Sequence, residues 1–190
     1  LGDVYKRQRK GGPLVVQAFT ILRKKYLWSA ELYLAGAKES DIRDALRERQ
    51  IRVEEVDWQK IHLLGDLGSE KLTDYYNLCD VFCMPSYFEA YGLVFAEALT
   101  YGLPCIGRDK FAMSEFIEDG CTGRLISGED AEELALDLWE VLQDPKYREE
   151  VERRREWYLR EYSWDKVAQR ICSVMEKNER DKDQYRSAGV

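Results

Sequence analysis

Two glutamates separated by seven residues, Glu89 and Glu97, flank the start of a predicted helix and could together bind a polar ligand. Gly92 lies between them, at the expected helix start, where a glycine lets a ligand approach the backbone closely. The free N–H groups and the positive end of the helix dipole at this point suit a phosphate. A carboxylate is a poor charge partner for a phosphate, but it accepts hydrogen bonds from vicinal hydroxyls such as those of sugars and ribose. The pattern therefore predicts an anion site bordered by two hydroxyl-binding carboxylates.

A strand, a loop and a helix are expected to position these residues. The apolar run of residues 80–84 stops at Pro85 and predicts a strand that is buried on both faces. The following helix is expected over residues 93–101, because the Gly-Leu-Pro sequence of residues 102–104 is a stop signal. Ligands of open parallel sheets bind outside the carboxyl ends of the strands. The loop of residues 86–92 should therefore line the binding crevice.

Apolar strand-like segments and amphipathic segments alternate along the chain, which predicts an α/β fold with a Rossmann-like parallel sheet, helices on both faces and additional C-terminal helices. The expected strands cover residues 31–36, 61–65, 80–84, 104–107 and 124–126. The expected helices cover residues 13–25, 41–50, 69–78, 93–101, 130–143, 147–161 and 164–179. Ser40 or Asp41 should cap the second helix, and Ser163 should cap the last one.

The composition fits a single globular domain that does not bind nucleic acid. The chain has 190 residues, of which 45% are hydrophobic and 34% are charged, and this is enough for one sizeable core. The net charge of −7 argues against general nucleic-acid binding, for which a basic face is expected. No run of about eighteen apolar residues occurs, so no transmembrane segment is predicted.

The cysteines and histidine do not suggest a metal site. His62 is the only histidine, and the five cysteines form no C-x-x-C pair, so the spacing of zinc ligands is absent. Cysteines within apolar runs are commonly small core residues. An odd number of unpaired cysteines favours a reducing compartment, and we expect the protein to be cytoplasmic. The cysteines are Cys79, Cys83, Cys105, Cys121 and Cys172.

Two segments carry a resemblance to a known family. They are PSYFEAYGLVFAEALTYGLPCIG, which starts at Pro85, and SEFIEDGCTGRLI, which starts at Ser114. Together they resemble the nucleotide-sugar-binding half of retaining glycosyltransferases with the two-domain GT-B fold, of the family 4 type (glycosyl transferases group 1). The resemblance extends from about Lys10 to about Val174. It implies that the chain is one half of a GT-B fold and takes part in transfer of a sugar from a nucleotide diphosphate sugar.

The resemblance assigns roles to the predicted anion site. It implies that Glu97 binds the ribose hydroxyls of the nucleotide and that Glu89 contacts hydroxyls of the donor sugar. The backbone N–H groups of residues 92–94 (Gly92, Leu93 and Val94) would hold the diphosphate. Lys10 would be one of two basic residues that neutralise the diphosphate, and Lys10 and Glu89 are the two residues expected to be catalytic.

The nucleotide base and the sugar leave weaker traces in the sequence. By resemblance, the loop from Gly65 to Leu67 pairs with the base through main-chain groups, so the identity of the base is not readable. Many relatives carry Gly-Gly-x-x-Glu where this chain has Phe111 to Glu115, and this departure leaves the identity of the sugar open. No Asp-x-Asp metal motif occurs, and the resemblance implies no obligatory metal and no cofactor beyond the nucleotide sugar.

The N-terminal end departs from the family pattern. Residues 1–8, LGDVYKRQ, resemble translated sequencing-adaptor sequence, and we expect them to be a non-native or truncated leader. The donor-binding domain is expected over residues 9–179, followed by a flexible tail over residues 180–190. The first strand and its arginine, which open this domain in the family, have no match, since Arg7 and Arg9 do not fit the spacing.

An acceptor-binding N-terminal domain is the implied partner. Without it, the chain should bind the donor but transfer nothing. The resemblance is also compatible with a parent enzyme that associates peripherally with membranes.

Three other functions would also use a fold of this kind. A dinucleotide-dependent oxidoreductase would need Gly-x-Gly-x-x-Gly after its first strand, and the chain contains no such motif. A GT-B phosphorylase is chemically related but has no recognisable cofactor-lysine pattern here. A non-catalytic nucleotide-sugar-binding or interaction module that has kept the fold is the remaining alternative.

Overall fold

The computed structural model describes the backbone of residues 10–187 and the side chains of residues 10–175. The expected leader therefore lies outside the described residues. The strands are β1 (Leu32–Ala35), β2 (Ile61–Gly65), β3 (Phe82–Cys83), β4 (Cys105–Arg108) and β5 (Gly123–Ile126). The helices are α1 (Gly12–Lys25), α2 (Glu39–Glu48), α3 (Ser69–Leu78), α4 (Leu93–Thr100), α5 (Met113–Phe116), α6 (Ala131–Gln143), α7 (Lys146–Glu161) and α8 (Trp164–Ser187). Two short 3-10 helices, Val53–Glu55 and Trp58–Lys60, precede β2.

All described strand pairs are parallel, as the alternating pattern predicts. β1 pairs with β2, with Leu32 opposite Ile61. β3, β4 and β5 form a three-stranded sheet in that order. The carboxyl ends of β3, β4 and β5 therefore meet at one edge, and the loops that follow them are neighbours.

Helices cover both faces of the three-stranded sheet. Ile106 of β4 is fully buried in a cluster with residues of α1 and α6. Its neighbour Cys105 points to the opposite face, where it is fully buried with residues of α4 and α7. Val16 and Phe19 of α1 also lie in a buried cluster with Ile61 of β2, in the two-stranded sheet. The expected α/β fold with helices on both faces is confirmed.

Two local predictions were wrong. The strand expected over residues 80–84 pairs only at Phe82 and Cys83, and both side chains are half-buried. β3 has a partner strand on one side only among the described residues, which leaves it partly uncovered. Helix α2 begins at Glu39, so Ser40 and Asp41 lie inside it, and Lys38 occupies the N-cap without a side-chain hydrogen bond.

The last helix, α8, begins at Trp164, where the sequence analysis expected it to begin. Ser163 caps α8, because its hydroxyl oxygen accepts a hydrogen bond from the Lys166 N–H at 3.2 Å. The apolar residues Trp164, Ile171 and Val174 of α8 are exposed. The helix continues past Glu179 to residue 187. Within the described part of the chain, we find no helix that combines the length and the apolar character needed to cross a bilayer.

Candidate functional site

The candidate site begins where helix α1 meets the loop after β3. Gly11 is the N-cap of α1 and has a left-handed backbone with φ of +79°. A Cβ atom added to Gly11 would lie 2.5 Å from the carbonyl oxygen of Pro85, so a side chain does not fit at this position. This close approach brings Lys10, immediately before Gly11, to the loop after β3.

Lys10 and Glu89 form an ion pair although they are 79 positions apart in sequence. The Lys10 side chain is 38% exposed and the Glu89 side chain is 13% exposed, so the carboxylate is the better shielded partner. The structure therefore brings together the two residues that the sequence analysis expected to be catalytic, each in a separate role. The two opposite charges neutralise each other.

The N-terminus of α4 completes the cluster. Gly92 is its N-cap, again with a left-handed φ of +79°. A Cβ atom added to Gly92 would lie 3.2 Å from the Glu89 Cγ atom, so the Glu89 side chain lies directly over this helix end. The helix has no side-chain cap and no acidic residue in its first turn. The N–H groups at its start, including those of Leu93 and Val94, are therefore available to an anion.

Glu97 is exposed on α4 and is held by a tyrosine that the sequence analysis missed. The hydroxyl of Tyr76, on α3, donates a hydrogen bond to Glu97 Oε2 at 3.2 Å. The Tyr76 ring is buried and stacks on Tyr101 with a centroid distance of 5.3 Å. Burial, and then the negative charge of Glu97, raise the pKa of Tyr76 well above its ordinary value. Tyr76 therefore remains a hydrogen-bond donor at neutral pH.

The loop expected to contact the base lies at the carboxyl end of β2. Gly65 has a left-handed φ of +62°, and its carbonyl oxygen accepts a hydrogen bond from the Gly36 N–H at 2.6 Å. The loops after β1 and β2 are therefore joined at one edge. Among the described residues, no hydrogen bond or ion pair connects Gly65 or Leu67 with Glu89 or Glu97, so their role in base binding stays a prediction.

A second network, also missed, braces the loop after β3. The Tyr87 hydroxyl accepts a hydrogen bond from Arg49 at 2.7 Å and donates one to Glu129 at 2.8 Å. Arg49 and Glu129 also form an ion pair of 3.3 Å. Burial raises the pKa of Tyr87. These three residues come from well-separated segments, and no spacing in the sequence indicates that they meet.

The segment that departs from the glycine pattern of the family keeps a glycine-like backbone. Phe111 has a φ of +56°, in the left-handed region that bulky residues rarely adopt. Its ring is half exposed and packs edge-to-face on Phe88 with a centroid distance of 5.0 Å. Phe88 directly precedes Glu89, so an aromatic pair replaces open glycine backbone beside the expected sugar carboxylate.

The described strands and helices define a Rossmann-like α/β domain, with the Lys10–Glu89 ion pair and an uncapped helix N-terminus at the carboxyl edge of its sheet. The family model for glycosyl transferases group 1 matches residues 1–144, and the chain therefore belongs to this family. Its fold is that of one half of a GT-B glycosyltransferase.

The relatives are longer proteins. A D-inositol 3-phosphate glycosyltransferase of Kribbella flavida is 32% identical over 98 residues, which are 52% of this chain and 23% of that protein. An uncharacterised glycosyltransferase of Methanocaldococcus jannaschii is 27% identical over 169 residues, which are 87% of this chain and 41% of that protein. Anabaena HepE, solved in complex with UDP and glucose, has a TM-score of 0.72 at 18% identity, covering 90% of this chain and 46% of that chain. This chain thus spans less than half of the length of each of these three proteins.

Proposed function

We propose that this chain is the donor-binding half of a retaining, family 4 type glycosyltransferase, which transfers a sugar from a nucleotide diphosphate sugar to an acceptor. The observation that carries the proposal is the cluster of Lys10, Glu89 and the uncapped N-terminus of α4. This cluster offers an ammonium group and free N–H groups to a diphosphate, and a carboxylate to a neighbouring hydroxyl. Membership of the family and the UDP bound to the structural neighbour HepE support the same assignment.

Stabilisation of the leaving diphosphate is the chemical contribution of Lys10 and of the N–H groups of residues 92–94. As the bond between the sugar and the diphosphate breaks, negative charge grows on the diphosphate oxygens. A fixed ammonium group and oriented backbone dipoles stabilise that charge without reorganising. This chemistry needs no metal ion.

The two carboxylates orient the donor. Glu97, held by Tyr76, accepts hydrogen bonds from the ribose hydroxyls, while Glu89 accepts from hydroxyls of the sugar. The loop of Gly65 and Leu67 contacts the base through its main chain. Two hydroxyl contacts on either side of the diphosphate fix the position of the reacting carbon between them.

The acceptor site belongs to an N-terminal domain in this proposal. The isolated chain should bind a nucleotide and show no transferase activity. We place the protein in the cytoplasm, because all five cysteines are free. The parent enzyme can associate peripherally with a membrane through the acceptor-binding half.

Nucleotide binding by the isolated chain tests the proposal. Thermal unfolding is measured with UDP, GDP and ADP for the wild type, for Glu97→Gln and for Glu156→Gln, a control on the exposed surface of α7. A ligand at about a hundred times its dissociation constant should add about 2.7 kcal/mol to the free energy of unfolding. We expect one nucleotide to stabilise the wild type and the Glu156 variant but not the Glu97 variant. Equal stabilisation of all three proteins would contradict the assignment of Glu97.

A non-catalytic interaction module is the second candidate. The exposed apolar residues Trp164, Ile171 and Val174 of α8 favour it, because such a face suits a protein partner. A chain that binds none of the three nucleotides and self-associates through α8 would support this candidate. Retained nucleotide binding would favour the donor-binding half.

A further inference from the structure

Arg108, the last residue of β4, is a buried cation without an acidic partner among the described residues. It is 4% exposed. Its Nη1 atom donates to the carbonyl oxygen of Gly128 at 2.6 Å, and its Nη2 atom approaches the carbonyl oxygen of Pro85 at 3.5 Å. The guanidinium carbon lies 4.5 Å from the centre of the Tyr87 ring. The Nε atom is buried and has no hydrogen-bond partner among residues 10–175.

The surroundings of Arg108 orient its charge but do not neutralise it. Neutral carbonyl groups and an aromatic face hold the guanidinium group in place, while its positive charge stays uncompensated. The carboxylate nearest along this network, Glu129, is already engaged by Arg49 and by the Tyr87 hydroxyl. A buried charge without a counterion is costly, and proteins usually keep one only where something else supplies the opposite charge.

An arginine on the neighbouring strand β5 is paired with acidic side chains. Arg124 of β5 donates from Nε to the Asp137 carboxylate at 3.0 Å, and Asp119 lies 3.6 Å from its Nη1 atom. The same three-stranded sheet therefore pairs one of its arginines with acids and leaves the other without one.

Arg108 lies next to the N-terminus of α1. The carbonyl oxygen of Pro85 that it approaches is the atom that a Cβ on Gly11 would contact at 2.5 Å. Helix α1 has no side-chain cap and no acidic residue in its first turn. Ser86, the next residue of the same loop, is fully buried, and its hydroxyl has no hydrogen-bond partner within the described part of the chain. The Arg108 Nη2 atom and the Gly11 end of α1 thus meet at the Pro85 carbonyl group, and the next residue of that loop carries a buried hydroxyl.

We propose that Arg108 binds a phosphate group of the donor at the N-terminus of α1, as a second cation beside Lys10. This inference rests on the proposed donor-binding function, because it names a further residue of the same site. The bound phosphate supplies the negative charge that Arg108 lacks, with the Nε–H and the Ser86 hydroxyl as donors. Charge-assisted hydrogen bonds of this kind are about twice as strong as neutral ones.

Titration calorimetry with inorganic pyrophosphate on the full chain tests the inference without knowledge of the base. The variants are Arg108→Gln, which removes the charge, Arg108→Lys, which keeps it, and Arg124→Gln as the matched control on β5. We expect Arg108→Gln to weaken pyrophosphate binding by about tenfold or more. Arg108→Lys should lose less, and Arg124→Gln should stay within about twofold of the wild type.

The nucleoside without phosphates separates this inference from the proposed function. Arg108→Gln should leave nucleoside affinity unchanged, whereas Glu97→Gln should reduce nucleoside affinity and leave pyrophosphate affinity unchanged. If Glu97→Gln keeps the nucleoside affinity of the wild type while Arg108→Gln weakens pyrophosphate binding, the donor-binding assignment is refuted but the phosphate contact is not. Wild-type chain that does not bind pyrophosphate, or Arg108→Gln with unchanged affinity, would overturn the role of Arg108. If Arg108→Gln does not fold, Ser86→Ala, which removes the second proposed donor to the phosphate, decides, and unchanged pyrophosphate affinity in that variant overturns the inference.

Discussion

Replacing Glu89 by glutamine should make the free nucleoside diphosphate bind more tightly, although it removes a residue of the site. The Glu89 carboxylate pairs with the Lys10 ammonium group, which is the proposed partner of the diphosphate. An arriving diphosphate must therefore break this ion pair and also lie near a negative charge. Glutamine keeps the size of the side chain and removes both obstacles.

The size of the gain follows from the exposure of the pair. An ion pair with side chains that are 38% and 13% exposed is only partly desolvated, and we take about 1 kcal/mol for it, the upper end for exposed pairs. Repulsion between the carboxylate and a phosphate charge at about 7 Å in water adds about 0.6 kcal/mol. Together these effects predict an affinity gain of about tenfold for Glu89→Gln.

The nucleotide sugar should behave in the opposite way. Its hydroxyl loses a hydrogen bond to a charged acceptor, which is worth about 1.5–3 kcal/mol and cancels or exceeds the gain. Glu89→Gln should therefore lower the preference for the nucleotide sugar over the nucleoside diphosphate.

Calorimetry at low salt and at 0.5 M NaCl measures both ligands, and the gain for the diphosphate should shrink at high salt. Glu156→Gln on α7 is the control. Weaker binding of the nucleoside diphosphate to Glu89→Gln than to the wild type would refute the reasoning, because Glu89 would then orient Lys10 for the phosphate rather than compete with it.

Three further changes test the site and the fold. Tyr76→Phe removes the hydroxyl that donates to Glu97 but keeps the buried ring, so nucleotide affinity in calorimetry should fall by about twofold to tenfold while the melting temperature changes little. Leu93→Glu puts a charge at an exposed position in the first turn of α4; it should abolish nucleotide binding without loss of thermal stability, whereas Leu93→Gln should still bind. Hydrogen bonds from Lys60 and then His62 lower the pKa of Glu31 from 4.5 to about 2, so its stabilising effect is present above pH 4.5 and is lost as the pH falls towards 2. The melting temperature of Glu31→Gln should therefore decline less than that of the wild type between these pH values.

Local patterns predicted most of the secondary structure. The expected strand over residues 61–65 and the expected helix over residues 69–78 agree with β2 and α3 at both ends. Both segments have a clear apolar pattern and a glycine at a boundary, which are signals within a few residues. The wrong N-cap of α2 also has a local cause, because Glu39 extended the helix by two residues and the Ser-Asp pair moved inside it.

The composition of the site was less predictable, because its contacts join distant parts of the chain. Glu89 and Gly92 were found from one motif, and Lys10 was found only through the family resemblance. Tyr76 is 21 positions before Glu97, and Arg108 is 23 positions after Pro85. Neither residue type nor spacing distinguishes them from ordinary surface residues. Burial and partner atoms identify them, and both depend on the tertiary structure.

The distribution of acids at helix starts is compatible with the proposed anion site in a chain whose net charge is −7. An acidic residue in the first turn stabilises a helix by about 0.3–1 kcal/mol, and α2, α3, α5, α6, α7 and α8 all have at least one. Only α1 and α4, among the α-helices of residues 10–187, have none. These two helices begin at Gly11 and Gly92, on either side of the Lys10–Glu89 pair. The starts of α1 and α4 thus lack the stabilisation that an acidic residue provides, and an acidic residue there would repel the proposed anionic ligand. The other α-helices have an acidic residue in the first turn.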